Sequence, residues 1–149
     1  MQCNSVFLRT ISKHFIPFIS MISINRIHHI AIICSDYQRS KTFYTEALGF
    51  TLLQEQYRAE RDSFKADLSL HGQYIIELFS FPDPPERPSH PEARGLRHLA
   101  FEVDDLDLTL EALHALNIAA EPLRIDAQTG KRFTFIADPD YLPIEFYEK

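Results

Sequence analysis

Apolar and polar residues alternate over two short stretches, IHHIAII (27–33) and LRHLAFEV (96–103), the period of a strand with one buried face. Behind each, the spacing lengthens to that of a helix. In the first case Ser35-Asp36-Tyr37-Gln38 fits a capping box, Tyr37, Tyr44, Ala47 and Leu48 form an apolar stripe, and Gly49 supplies the stop. In the second, Asp104 or Asp105 caps, Leu106, Leu110 and Leu113 recur at helical spacing, and Asn117 ends the run. Three strand-like segments follow each helix: FTLLQEQYR, DLSLHGQ and QYIIELFSF, then AAEPLRI, RFTFIAD and LPIEFYE. The predicted order is βαβββ, twice, which makes the chain α+β.

The two halves are copies. A shift of 69 lays His29 on His98 and Asp36 on Asp105, and a shift of 68 lays Glu77 on Glu145. The first module spans 25–81 and the second 96–149. Between them, PDPPERPSHPEARG (82–95) holds five prolines, which continue neither a helix nor a central strand, so this segment reads as a linker or a lid. Residues 1–24 differ in kind: they contain no acid, carry Arg9 and Lys13, and have Pro17 inside their apolar part. They read as a poorly ordered extension, with Met21 as an alternative start, since no small-residue cleavage site follows.

Composition narrows the chemistry. At 149 residues, with 45% hydrophobic and 24% charged content, the chain is one globular domain without an apolar run of membrane length. Its net charge of −6 and the lack of a basic stripe argue against nucleic acid and for a small-molecule partner. Cys3 and Cys34 form neither a disulfide framework nor a thiolate metal site, which points to a reducing, cytoplasmic setting.

Residues two apart on a strand share a face, so His29 travels with Ala31 and Ile33, His98 with Ala100 and Glu102, Glu77 with Ile75 and Phe79, and Glu145 with Pro143 and Tyr147. Glu77 and Glu145 interrupt strands that otherwise read as buried, and a buried carboxylate needs a cation beside it. Each has a histidine upstream at nearly the same distance, 48 residues (77 − 29) and 47 residues (145 − 98), which makes a metal ion the natural compensation. Two imidazoles and two carboxylates suit a borderline divalent ion.

The segments HHIAIICSDYQRSKTFYTEALGF, GQYIIELF, GLRHLAFEVDD and FTFIADPDYLPIEFYEK resemble the vicinal oxygen chelate superfamily of glyoxalase I, bleomycin-resistance proteins and dioxygenases, over about residues 24–149. The resemblance implies paired modules forming a cupped half-barrel of mixed sheet around a metal. It places His29, Glu77, His98 and Glu145 on the four ligand positions of glyoxalase I. The fosfomycin-resistance and dioxygenase branches use three ligands and bleomycin-binding relatives lack the set, so four favour a lyase or isomerase that transfers a proton next to a metal-bound carbonyl. By the same resemblance Glu145 is the principal base and Glu77 its partner. One divalent ion per site is expected, Ni²⁺ or Zn²⁺ first, then Fe²⁺, Co²⁺ or Mn²⁺. A homodimer with two interfacial sites is expected too.

The chain departs from glyoxalase I where Ile33 and Phe81 stand at positions that there hold an arginine and an asparagine gripping glutathione. The resemblance therefore does not carry glutathione across, and Arg58, Arg61, Lys65, Lys131 and Arg132 remain as cations for an anionic substrate. A non-catalytic drug- or metabolite-binding protein and an Fe²⁺ dioxygenase are the alternatives. His28 is expected to face away from the site as a structural or supporting residue, and His14, His71, His90 and His114 to be solvated. RAERDSFKAD (58–67) reads as a solvated edge strand or loop and Asp138-Pro139-Asp140 as a turn. Phe133, Phe135 and Phe146 are assigned to the core; Phe79, Phe81 and Tyr147 are candidates to line a pocket.

Overall fold

A computed structural model of the chain describes residues 22–88 and 90–149. The extension expected over 1–24 therefore lies almost entirely outside the described residues, as do Cys3 and His14. The element order is β1 (Ile30–Cys34), α1 (Tyr37–Thr42), β2 (Thr51–Arg58), β3 (Ser63–Leu70), β4 (Gln73–Ser80), β5 (Leu99–Val103), α2 (Leu106–Ala115), β6 (Arg124–Ile125), β7 (Arg132–Ala137) and β8 (Pro143–Glu148). This is βαβββ twice, in two four-stranded mixed sheets ordered β1-β4-β3-β2 and β5-β8-β7-β6. In each sheet the first strand of the module runs parallel to its last, and the remaining neighbours are antiparallel. Among the described residues of 82–95 there is no helix or strand.

Both helices start where the pattern placed them. Asp36 and Asp105 are the caps, accepting from the backbone N–H of Arg39 and Leu108 at 3.0 Å. Helix α1 ends in one wider π-helical turn (Phe43–Ala47), after which Gly49, at φ 74°, turns the chain into β2. Asn117, at φ 56°, stops α2.

Alternation decides what is buried. Ile32, Cys34, Ala66, Leu68, Ile76 and Leu78 point to one side of the first sheet, and Leu99, Ile136, Ile144 and Phe146 to one side of the second. The helices cover that side with Tyr37, Tyr44, Leu106 and Leu113, forming a single core. Each fully buried Leu or Ile contributes roughly 1.5–3 kcal/mol. The opposite face of each sheet is left open.

One segment departs from its sequence reading. The second half of RAERDSFKAD is not a solvated edge but the start of β3, an interior strand with Ser63 and Ala66 fully buried. Its charges misled the reading because Lys65 and Asp67 sit on the open face, paired with each other at 3.0 Å.

The modules are joined on the helix side by the turn over 138–141. Asp140 accepts from the Ser35 backbone N–H at 3.0 Å and from the Ser35 hydroxyl, Arg39 donates to the Pro139 carbonyl at 2.7 Å, and the buried Tyr44 hydroxyl donates to Asp138 at 2.9 Å. Ser35 thus serves this clasp rather than a capping box. Phe50 and Phe101 meet across the same junction, 5.8 Å between ring centroids. Burial pushes the Asp138 carboxyl above the usual range, although the Leu142 and Asp140 N–H groups and the Tyr44 hydroxyl oppose that shift. Among the described residues no helix is long and apolar enough to cross a membrane.

Removing one atom tests the clasp. Tyr44→Phe is expected to cost about 2 kcal/mol near neutral pH, the scale of a buried hydrogen bond to an ionised group. That bond favours the charged carboxylate, so the loss shrinks as falling pH protonates Asp138. Urea unfolding of both proteins at neutral and acid pH measures it, and equal stability at neutral pH would contradict the clasp.

Candidate functional site

Parallel pairing sets Ala31 opposite Glu77 and Ala100 opposite Glu145. His29 and His98 stand two residues upstream of those alanines, just before β1 and β5, and the small side chain between leaves the carboxylate open to the imidazole. The result is the same in both modules: His29 Nε2 lies 3.2 Å from Glu77 Oε2, and His98 Nε2 lies 3.2 Å from Glu145 Oε2. The glutamates are half-buried rather than core residues, with 16% and 14% of the side chain exposed, because they line the open faces.

Two neighbouring ligand atoms, each about 2.1 Å from one ion, stand roughly 3.0 Å apart at a right angle and 3.4 Å at a tetrahedral angle. The observed separations fall within that span, so each pair fits half of a metal shell. Among the described residues no three His, Cys, Asp or Glu side chains converge to hold an ion. The four-ligand shell expected from the repeat is therefore divided, within one chain, into two pairs. The physical reason is the clasp: the modules meet on the helix side, and the faces carrying the pairs are uncovered.

The two pairs differ in their surroundings. Lys65 Nζ lies 2.7 Å from Glu77 Oε1, and the Tyr74 hydroxyl donates to Asp67 at 3.0 Å beside it. Burial pushes the Glu77 carboxyl up, but Lys65, Tyr74 and the nearby His29 outweigh it and hold the group below its ordinary range. Glu145 faces Phe135 across the ladder, and His98 packs edge-on against that ring at 5.3 Å. Phe133 and Phe135, assigned to the core by sequence, line this open face, while Phe146 is in the core. His28 does not face away: its Nδ1 meets His29 Nδ1 at 2.8 Å, because both precede the strand where alternation begins. His71, His90 and His114 are exposed, as expected.

Of the cations singled out by sequence, Lys65 is engaged with Glu77 and Asp67, Arg132 with Glu148 and Asp107, and Lys131 with the Lys149 carbonyl. Arg58 lies over Phe79 and Phe81 and donates to Ser63 at 2.6 Å. A cavity of about 360 Å³ beside His98 is lined instead by Arg87, Arg97 and Arg124, which sequence reasoning missed. The available signal was a lone arginine entering a hairpin opposite the alternating aromatics of RFTF.

The chain is similar to known proteins in sequence and in fold. Residues 26–146 match the family model described as Glyoxalase/Bleomycin resistance protein/Dioxygenase superfamily. The chain is 64% identical to the uncharacterized protein YwkD of Bacillus subtilis (strain 168) over 123 residues, 83% of this chain and 96% of that one. It is 49% identical to a glyoxalase family protein from Enterococcus faecalis of solved structure, with a TM-score of 0.78 over 83% of this chain and 97% of the other. A more distant structure, 20% identical at a TM-score of 0.65 over 84% and 93% of the two chains, is a mutant of the fosfomycin resistance protein FosX from Listeria monocytogenes complexed with Mn(II) and a dihydroxypropylphosphonic acid; that likeness is one of fold.

The cation on Glu77 generates a prediction. In Lys65→Met, burial acts on Glu77 without its counterweight, so the carboxyl titrates at higher pH than in the native chain. In the native chain the lowered value contributes stability above the ordinary glutamate range that is lost as pH falls. Carboxyl ¹³C shifts followed against pH check this, and an unmoved Glu77 titration would contradict it.

Proposed function

Because the chain belongs to the glyoxalase/bleomycin resistance protein/dioxygenase superfamily, we propose that it is a metal-dependent lyase or isomerase of the glyoxalase I type, moving a proton next to a carbonyl of a small-molecule substrate. The observation that carries this reading is the matched 3.2 Å imidazole–carboxylate contact at equivalent places of two repeated modules. His29 and Glu77 of one protomer and His98 and Glu145 of a second complete one shell, so that a two-fold homodimer holds two sites. The open faces support this, since half-exposed Phe79, Phe81, Phe133, Phe135 and Tyr147, together with the exposed Ile33, are uncovered in one chain.

The nitrogen and oxygen donors suit Ni²⁺ or Zn²⁺. Such an ion supplies the positive charge that lowers the cost of removing a proton beside a carbonyl. The two carboxylates then take different parts. Glu77 is kept as an anion by Lys65 and is the fixed ligand. Glu145 has no lysine or arginine on it among the described residues and is the group that receives and returns the proton. Phe133 and Phe135 keep water from its flank.

Mixing two damaged proteins tests the shared site. His29→Ala spoils only first-module pairs and Glu145→Gln only second-module pairs, so each homodimer should lose high-affinity Ni²⁺ binding. After the two are unfolded and refolded together, half the dimers are mixed and each keeps one intact site, restoring about one quarter of the native metal content. Failure of the native protein to retain any divalent ion, or failure of the mixture to recover it, would overturn the reading.

A further inference from the structure

The cavity beside His98 belongs to one chain and is bounded by three separate segments: Arg87 in the proline-rich linker, Arg97 just before β5, and Arg124 in β6. At about 360 Å³ it lies in the range that holds a small metabolite. Its floor is Phe133 and Phe135. The Arg124 guanidinium lies over both rings, 5.1 and 4.9 Å from their centroids, and 49% of the side chain is exposed, so the planar fork rests on the aromatic floor with one side open to the cavity.

What sets Arg124 apart is what it does not hold. On the other module the comparable guanidinium, Arg58, sits on Phe79 and Phe81 but donates inward to the buried Ser63 hydroxyl. Lys65 and Arg132 are each shared between two carboxylates. Arg124 makes one hydrogen bond among the described residues, from Nη2 to Glu121 at 2.8 Å, and Glu121 is a rim residue with 59% of its side chain exposed. Its remaining donors have no protein acceptor among the described residues. Among the described residues Arg97 likewise meets the exposed Glu92, at 3.2 Å. Arg87 braces the wall by donating to the Leu96 carbonyl at 2.6 Å.

A guanidinium stacked on an aromatic floor, with N–H donors to spare next to a histidine of the proposed metal shell, is suited to a planar or tetrahedral oxyanion. We infer that this cavity binds the anionic end of the substrate, a carboxylate or phosphate group held by Arg124, with the rest of the molecule extending toward His98 and Glu145. As a statement of substrate class this rests on the proposed function; the anion site itself is built by one chain and does not need the metal.

The test uses the full-length protein, stripped of metal with a chelator and, separately, loaded with Ni²⁺. Inorganic phosphate and acetate are titrated against each form, with glycerol as the neutral control, while the arginine Nε–H resonances are followed. Saturable binding of at least one anion to the stripped protein is expected, moving the Arg124 signal and weakening with added salt. Arg124→Gln should weaken it about tenfold, Arg124→Lys should restore part of the loss, and Lys41→Gln, on α1 and outside the cavity lining, should leave it unchanged. Thermal melts check that each variant is folded. Binding lost equally in Arg124→Gln and Lys41→Gln, or glycerol competing as well as the anions, would overturn the inference. Metal binding without anion binding would refute this site and spare the proposed function; anion binding without any metal uptake would do the reverse.

Discussion

The parallel pairing of the first and last strands in each module is the constraint from which the site follows. It fixes Ala31 against Glu77 and Ala100 against Glu145, and so presents the imidazole two residues upstream to the carboxylate at the same distance both times. Because side chains alternate, a slip of one residue in either pairing would turn the glutamate into the core and Ile76 or Ile144 onto the open face. Core packing and site geometry are therefore one requirement, and the fully buried Ile76, Leu78 and Ile144 hold the register that the chemistry needs.

On this shared frame the two copies have been made different. The β3 strand of the first module offers Lys65 and Asp67 at the positions where the second module has Phe133 and Phe135, offset by 68 residues. One glutamate is consequently surrounded by charge and the other by aromatic surface. The turn over 138–141 breaks the symmetry again, since it reaches back to Ser35, Arg39 and Tyr44 of the first module. That contact draws the modules together on the helix side and leaves the faces carrying the two pairs uncovered within one chain.

Much of this was legible in the sequence. The period of each strand, the aspartate caps, the stop residues Gly49 and Asn117, and the offsets joining His29 to His98 and Glu77 to Glu145 are local signals, and the βαβββ order is their sum. Strand parity also showed which residues share a face with each histidine and each glutamate, although the meeting of each histidine with its own glutamate needed the strand pairing. What sequence could not show is which face is covered. Lys65 and Asp67 looked solvated because the open face of an interior strand tolerates charge, and Phe133 and Phe135 looked buried because aromatic residues on an open face obey the same alternation as core residues. Arg124 was missed for a related reason: its role depends on rings nine (133 − 124) and eleven (135 − 124) residues away across a hairpin. The division of the two histidines and two glutamates into separate pairs depends on how whole modules dock, which no local pattern encodes.

Counting the imidazoles on an added metal ion tests whether both modules serve one shell. X-ray absorption on Zn²⁺-loaded protein in solution should resolve two histidine nitrogens per zinc, alongside oxygen ligands, because one imidazole comes from each module. A shell with a single imidazole, as one module alone would provide, would contradict the account.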